Sequence, residues 1–356
     1  MEYQILANKW RPKSFNDVVG QNLTIDILKK IIENKKIHNS FLIIGSHGTG
    51  KTTIARILAK CLNCNKGITI NPCNECQSCI NIDKSNDLDV IEIDAASKTK
   101  VEDIREIINS SKYTTNYSKY KIYIIDEVHM LSLNSFNALL KTLEEPNKNV
   151  KFILITTNIE KIPLTITSRC LQFQLEKINK NDESNKIIEI LNKENIKYEK
   201  NAINIITTFS QGSLRDTINT LEKIIIKSNN LIINKKIIEK TLGIISNKDL
   251  ISILYYIKEK KRKKLLKIID KIYNKNIDFN KILIQLKLII NKIIIIKFDN
   301  KIHIENRKIK EITEKISIKT FQKYYKILLE GEFYIKNSPN PKIGFEMIIL
   351  KIFLLK

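Results

Sequence analysis

The stretch "GSHGTGKT" contains residue types that phosphate chemistry needs. It reads Gly45-x4-Gly50-Lys51-Thr52, a full phosphate-loop pattern that follows an apolar run and opens a helix-like one. In such a loop the glycines let backbone N–H groups curl around a β-phosphate, and the helix N-terminus adds partial positive charge. Lys51 reaches the β- and γ-phosphates, and the Thr52 hydroxyl ligates magnesium. The expected nucleotide cradle is therefore Gly45, Ser46, His47, Gly48, Thr49, Gly50, Lys51, Thr52 and Thr53. The run "KIYIIDEVHM" delivers Asp126 and Glu127 at the C-terminal end of an apolar strand, where open α/β sheets bind ligands. Asp126 would hold the magnesium through water. Glu127 would orient or deprotonate the attacking water, which makes hydrolysis the expected reaction. His129 reads as a structural or coupling residue rather than a base.

Three further residues fit the same site. Thr157 ends the run "KFILITT", where a hydroxyl senses a γ-phosphate or positions water; an ordinary β-branched strand residue is the competing reading. Arg169, just before Cys170 and an apolar strand, is placed like a finger arginine that stabilises transition-state charge. Arg215 in "GSLRD" starts a helix from which it reaches the γ-phosphate across a cleft, which would make a small helical domain a lid.

A second chemistry sits in "CLNCNKGITINPCNECQSC", residues 61–79, which holds five of the six cysteines. Cys64-x8-Cys73-x2-Cys76-x2-Cys79 offers four soft thiolates suited to tetrahedral zinc. A redox Cys-x-x-Cys pair competes, but three clustered partners and no thioredoxin-like context count against it. Cys61 follows Ile54 and Leu58 on one helical face and is assigned to the core. Four protein ligands leave no open coordination position, so the metal would be structural, stapling an insertion over about 61–82.

The elements that must position these residues are legible as alternating patterns. Buried-strand runs occur at 41–46, 89–94, 121–126, 151–157 and 171–175, with helix-like apolar spacing between them. Residues 1–177 thus predict an α/β domain with a parallel sheet. Amphipathic helices follow, as a small helical lid domain over 178–242 and a helical domain over 243–356. Tyr255, Tyr256, Tyr273 and Phe279 stand at helical spacing and read as core rather than as platforms for stacked bases.

Composition narrows the function classes. The 356 residues are 43% hydrophobic, ample for packed cores, and no uncharged apolar run approaches the roughly 18 residues needed to span a bilayer. The N-terminus has no signal-peptide pattern, and a cytoplasmic protein is expected. The net charge of +23 invites a nucleic-acid partner, yet only seven of the 61 basic residues are arginine. Lysine drift on solvated faces is therefore an equal competitor, and the few arginines are the candidates for jobs needing a planar fork.

The phosphate loop, "IIDEVHML", "TSRC" and "GSLRD", in this order, resemble an AAA+ ATPase of the clamp-loader group. With "LANKWRPKSFNDVVGQ", "PCNECQSC" and "IEIDAASKTKVEDIREI" they resemble, more closely, the gamma/tau family of bacterial DNA polymerase III; "YYKILLEGEFYIKNSPNPKIGFEMIILKIFLL" resembles that family's collar domain. The resemblance implies an AAA+ P-loop NTPase fold with a zinc-knuckle insertion, a helical lid and an all-helical collar used for oligomerisation. It implies ATP hydrolysis within the DNA polymerase III holoenzyme, using ATP with magnesium and a structural zinc. The implied partners are delta and delta-prime subunits, further copies of the chain, the beta sliding clamp, and primer–template DNA. By the same resemblance Arg169 acts in trans on a neighbour's nucleotide. Arg215 and Thr157 take the two sensor positions, and Arg11, Pro12, Val18 and Val19 line the adenine side. Cys64, Cys73, Cys76 and Cys79 become the zinc ligands. Lys98, Lys100 and Arg105 would face DNA, with solvated charges as the alternative. His47 departs from the arginine common at its position in the family. The chain ends after the collar, so polymerase tethering is not expected of it. Two other readings stay open: a branch-migration ATPase, and a zinc-containing nucleic-acid-binding assembly subunit with little turnover.

Overall fold

Runs of apolar β-branched residues without a polar break make strands buried on both faces, which is what a parallel sheet covered by helices demands. The computed structural model describes residues 5–97, 101–145, 147–210, 212–228, 232–274, 277–298 and 307–355. Helices α1 (Leu6–Lys9) and α2 (Asn22–Glu33) precede β1 (Ser40–Ile44), which leads through the phosphate loop into α3 (Lys51–Asn63) and α4 (Gln77–Asp83). Then come β2 (Val90–Asp94), α5 (Val101–Ser110), β3 (Lys121–Asp126), α6 (Leu133–Glu144), β4 (Val150–Thr156), α7 (Leu164–Thr167) and β5 (Leu171–Gln174). All pairings are parallel, in the order β2-β3-β4-β1-β5. The central strands β1 and β4 are buried along their whole length, whereas the edge strand β5 buries only Phe173.

One core packs Phe41, Ile43, Ile124 and Ile153 against α2 and α3; the opposite face packs Leu42, Tyr123, Phe152 and Leu154 against α5 and α6. Neighbouring strand residues thus point into different layers, as the pleat requires. A helical segment follows the sheet: α8 (Lys180–Lys193), α9 (Lys200–Ser210) and α10 (Leu214–Ser228). Asn179 caps α8, its side chain accepting the Asp182 N–H. Residues up to Ile233 form one compact unit with the sheet.

The second unit, Asn234–Lys356, contains α11 (Lys235–Leu242), α12 (Asn247–Lys258), α13 (Arg262–Tyr273), α14 (Phe279–Phe298), α15 (Arg307–Lys315), α16 (Ile318–Asn337) and α17 (Pro341–Leu354). Its core includes Phe279, with Tyr255 and Tyr256 packed against it. Tyr273 departs from the core assignment: it is exposed, with the Lys342 ammonium 5.2 Å from its ring centroid. Among the described residues no helix is long and apolar enough to cross a membrane.

Candidate functional site

β4 pairs with both β1 and β3, so the phosphate loop after β1 and the acids at the end of β3 flank the end of β4. The loop turns on Gly48 (φ 73°) and Gly50 (φ 96°), both in the left-handed region that a side chain resists. Lys51 follows, buried, its ammonium donating to the carbonyls of Gly45 at 2.9 Å and Ser46 at 3.0 Å. Burial lowers the Lys51 pKa, and Glu127 and Asp126 oppose that. The Thr52 hydroxyl donates to Asp126 Oδ2 at 2.7 Å. One hydroxyl and one carboxylate so placed fit a magnesium ion with its water shell.

Glu127 adopts a left-handed backbone conformation (φ 49°, ψ 44°), and its N–H donates to Asp126 Oδ1 at 2.9 Å. That twist turns the carboxylate toward the end of β4. There the Thr157 hydroxyl donates to Glu127 Oε2 at 2.9 Å, and His129 Nδ1 stands 3.3 Å from the same oxygen and 3.1 Å from Thr156 Oγ1. His47 Nδ1 lies 3.8 Å from the other oxygen, Oε1. Thr157 sits one residue beyond β4 rather than within it.

A cleft of about 690 Å³ opens over the loop. Its lining includes Arg11, Pro12, Val18 and Val19 from the N-terminal segment, His47 through Thr53, Asp126, Glu127, and Leu214, Arg215 and Ile218 from the α10 side. Gly45 and Ser46 do not line it; their carbonyls serve Lys51 instead. Arg11 Nε donates to Thr53 Oγ1 at 3.2 Å, and its pKa is lowered by burial and by Arg56. Ser213 stands so close to the loop that a Cβ on Gly48 would lie 1.9 Å from its hydroxyl oxygen. Sequence reasoning missed Arg56 and Glu92, which line the cleft as an ion pair, Arg56 donating to Glu92 Oε2 at 2.6 Å. The available signal was the rarity of arginine, since Arg56 lies on the helix that Lys51 begins.

Arg169 lies outside the cleft lining. Its Nε donates to Glu144 Oε1 at 2.7 Å and its Nη1 to the Thr165 carbonyl at 2.7 Å. Arg105 is exposed on α5, while Lys98 and Lys100 lie outside the described residues.

The sulfurs of Cys64, Cys73, Cys76 and Cys79 all lie within 4.8 Å of one another. Cys76 caps α4 by accepting the Cys79 N–H, and Cys73 accepts the Cys76 N–H at 3.4 Å. The backbone N–H groups of Glu75 and Cys76 bring the Cys73 thiol down to about 6, whereas burial pushes the Cys79 thiol up. Four convergent soft donors fit tetrahedral zinc. Cys61 stays apart in the core, its thiol 3.7 Å from the Ile70 carbonyl and pushed up to about 12 by burial.

Three family models match successive stretches. They are "DNA polymerase III, delta subunit" over residues 20–179, "DNA polymerase III clamp loader subunit, ATPase lid domain" over 184–230, and "DNA polymerase III subunits gamma and tau domain III" over 233–356. DNA polymerase III subunit gamma of Buchnera aphidicola subsp. Baizongia pistaciae is 44% identical, across 99% of this chain and 97% of that one. Its counterpart from Buchnera aphidicola subsp. Schizaphis graminum is 45% identical, across 99% and 98%. DNA polymerase III subunit tau of Escherichia coli is 36% identical across 99% of this chain and 55% of that one. Among solved structures, the Thermotoga maritima RuvB Holliday junction branch migration motor superimposes with a TM-score of 0.51 at 20% identity, covering 73% of this chain and 81% of that one. That likeness is one of fold.

Proposed function

The chain belongs to the gamma/tau family of DNA polymerase III and is an ATPase subunit of its clamp loader; from that premise we propose that the Lys51 cleft binds and hydrolyses ATP to drive loading of a sliding clamp. The observation that carries the reading is the junction of three strand ends. Lys51, the Thr52–Asp126 hydrogen bond and the Thr157–Glu127 hydrogen bond meet where β1, β3 and β4 stop.

Each side chain then has a task. The loop amides and the Lys51 ammonium bind the β- and γ-phosphates, while Arg11, Pro12, Val18 and Val19 enclose the base. Magnesium, when bound at Thr52 and Asp126, supplies positive charge to the phosphate oxygens. Glu127 holds the attacking water and accepts its proton at Oε1, the oxygen not held by Thr157. Arg215 approaches the γ-phosphate from the α10 side. Arg169 serves the nucleotide of a neighbouring copy. Cys64, Cys73, Cys76 and Cys79 hold a structural zinc.

The proposed partners are delta and delta-prime subunits, further copies of this chain, the beta clamp, and primer–template DNA, with Arg105 among the phosphate contacts. The test is steady-state ATP hydrolysis by the chain assembled with its delta-type partners, with and without clamp and primed DNA. Strong stimulation by clamp and DNA together is expected. Hydrolysis indifferent to both would leave an ATPase with another target, and clamp loading would have to be abandoned.

A further inference from the structure

Lys60 on α3 is 0% exposed, and a buried ammonium needs acceptors for its three protons. It donates to the Lys13 carbonyl at 2.7 Å and to Asn74 Oδ1 at 2.9 Å, and it pairs with Asp83 Oδ1 at 2.8 Å. The three acceptors come from three separate places. Lys13 directly follows Pro12, in the segment whose Arg11 and Pro12 line the cleft. Asn74 stands between Cys73 and Cys76, in left-handed backbone with φ 60°. Asp83 closes α4, the helix that carries Cys79 and is capped by Cys76.

Arg56 lies one turn earlier on the same face of α3. It donates to the Asp83 carbonyl at 3.4 Å while it pairs with Glu92 at the cleft. Two cations four residues apart therefore fasten the end of α4 to the helix that begins at Lys51. One of them also holds the N-terminal wall of the cleft.

We infer that Lys60 is a positioning residue that couples metal at the four-cysteine cluster to nucleotide in the cleft. The inference rests on the zinc and ATP sites proposed above. With the thiolates gathered on a metal, the loop between Cys64 and Cys79 holds Asn74 against Lys60, and α4 keeps its cap. Releasing the thiolates withdraws the Asn74 oxygen and loosens Asp83. The ammonium then keeps fewer acceptors, and α3 shifts to rehydrate it, carrying Lys13 and Arg56 away from the geometry that encloses a nucleotide. Coupling between two binding sites is reciprocal, so each ligand must tighten the other by the same factor.

The experiment measures zinc affinity of the full chain by competition with a chromogenic chelator, with and without β,γ-imido-ATP. Alongside it, a fluorescent ATP analogue is titrated into zinc-loaded and zinc-stripped chain. Wild type should show the same factor in both directions, at least about fivefold. Lys60→Met should still bind one zinc per chain and still bind nucleotide, with the factor reduced to about one. If Lys60→Met does not fold, Asn74→Gly is used; it keeps the left-handed backbone and removes a single acceptor, and it must cut the factor by more than half. No coupling in wild type overturns the inference. So does coupling that survives in the variants, because the link would then run through overall folding stability. A wild-type chain that binds no nucleotide or no zinc fails at the earlier step, overturning the site itself.

Discussion

Glu127 is held from several sides, which suits the proposed task of holding and deprotonating a water. A non-glycine residue at φ 49° is strained, and such strain persists only where the surroundings over-determine it. Here the Thr157 hydroxyl and the Asp126 carboxylate hold the residue at both ends, at 2.9 Å each. Glu127→Gln keeps an acceptor for Thr157 and removes the capacity to take a proton. Nucleotide affinity should therefore change little while turnover of the assembled loader falls by about 10²–10⁴-fold. A single-turnover assay beside an equilibrium titration separates the two. Unchanged turnover would remove Glu127 from the reaction and leave it as a strand-end carboxylate. The backbone twist was invisible in "DEVHM", because φ at Glu127 is set by the turn that follows β3. The pairing of Arg56 with Glu92 was hidden for a related reason. The partners are 36 residues apart, and they meet only because β2 lies at the β3 edge of the sheet, facing α3.

At the scale of elements, the strands were legible because burial on both faces favours unbroken apolar runs, as in the "FLII" of β1 and the "FILI" of β4. The short α4 was not, since seven residues with one buried cysteine and one buried isoleucine give no helical period to read. Its order comes from Cys76 and from the two α3 cations. The helices after the sheet hold a different surprise. Glu183 on α8 is 0% exposed; it accepts the Thr217 hydroxyl of α10 through one oxygen, and its other oxygen has no partner among the described residues. Burial raises its pKa above the usual carboxylate range, with Thr217, Lys180 and Ser210 opposing. A raised folded-state pKa means the protonated form fits the fold better. The favourable contribution is thus complete below the ordinary value and is lost as pH rises through the folded one. Glu183→Gln keeps the acceptor and removes the charge, so it should unfold at higher temperature than wild type at pH 8. The gap should close near pH 4. Parallel melting curves across that range check it, and a gap that widens toward acid would show that the carboxylate is stabilised as an anion.

At the scale of the whole molecule, the proposed site draws on one residue from outside the cleft. Arg169 belongs to the chain yet lies outside the lining of the chain's own cleft, and its guanidinium is tied to Glu144 and the Thr165 carbonyl. A planar, permanently charged fork partly exposed on a fixed loop is suited to meeting phosphate oxygens on another molecule. The net charge of +23 adds a general attraction to polyanions, spread over 61 lysines and arginines, and so cannot by itself identify the contact. The proposed trans arrangement has a consequence that no cis arrangement shares. Arg169→Ala leaves a subunit that binds ATP but offers no finger, and Lys51→Ala leaves one that offers a finger but binds nucleotide poorly. Loaders built from either alone should hydrolyse ATP at a rate reduced by about 10³-fold or more. Mixed loaders place a Lys51→Ala subunit's arginine against an Arg169→Ala subunit's intact cleft in a fraction of interfaces. Those interfaces alone should recover turnover, so activity should pass through a maximum as the mixing ratio is varied. If the arginine acted within its own chain, every mixture would stay as slow as its components, and the finger assignment would be lost.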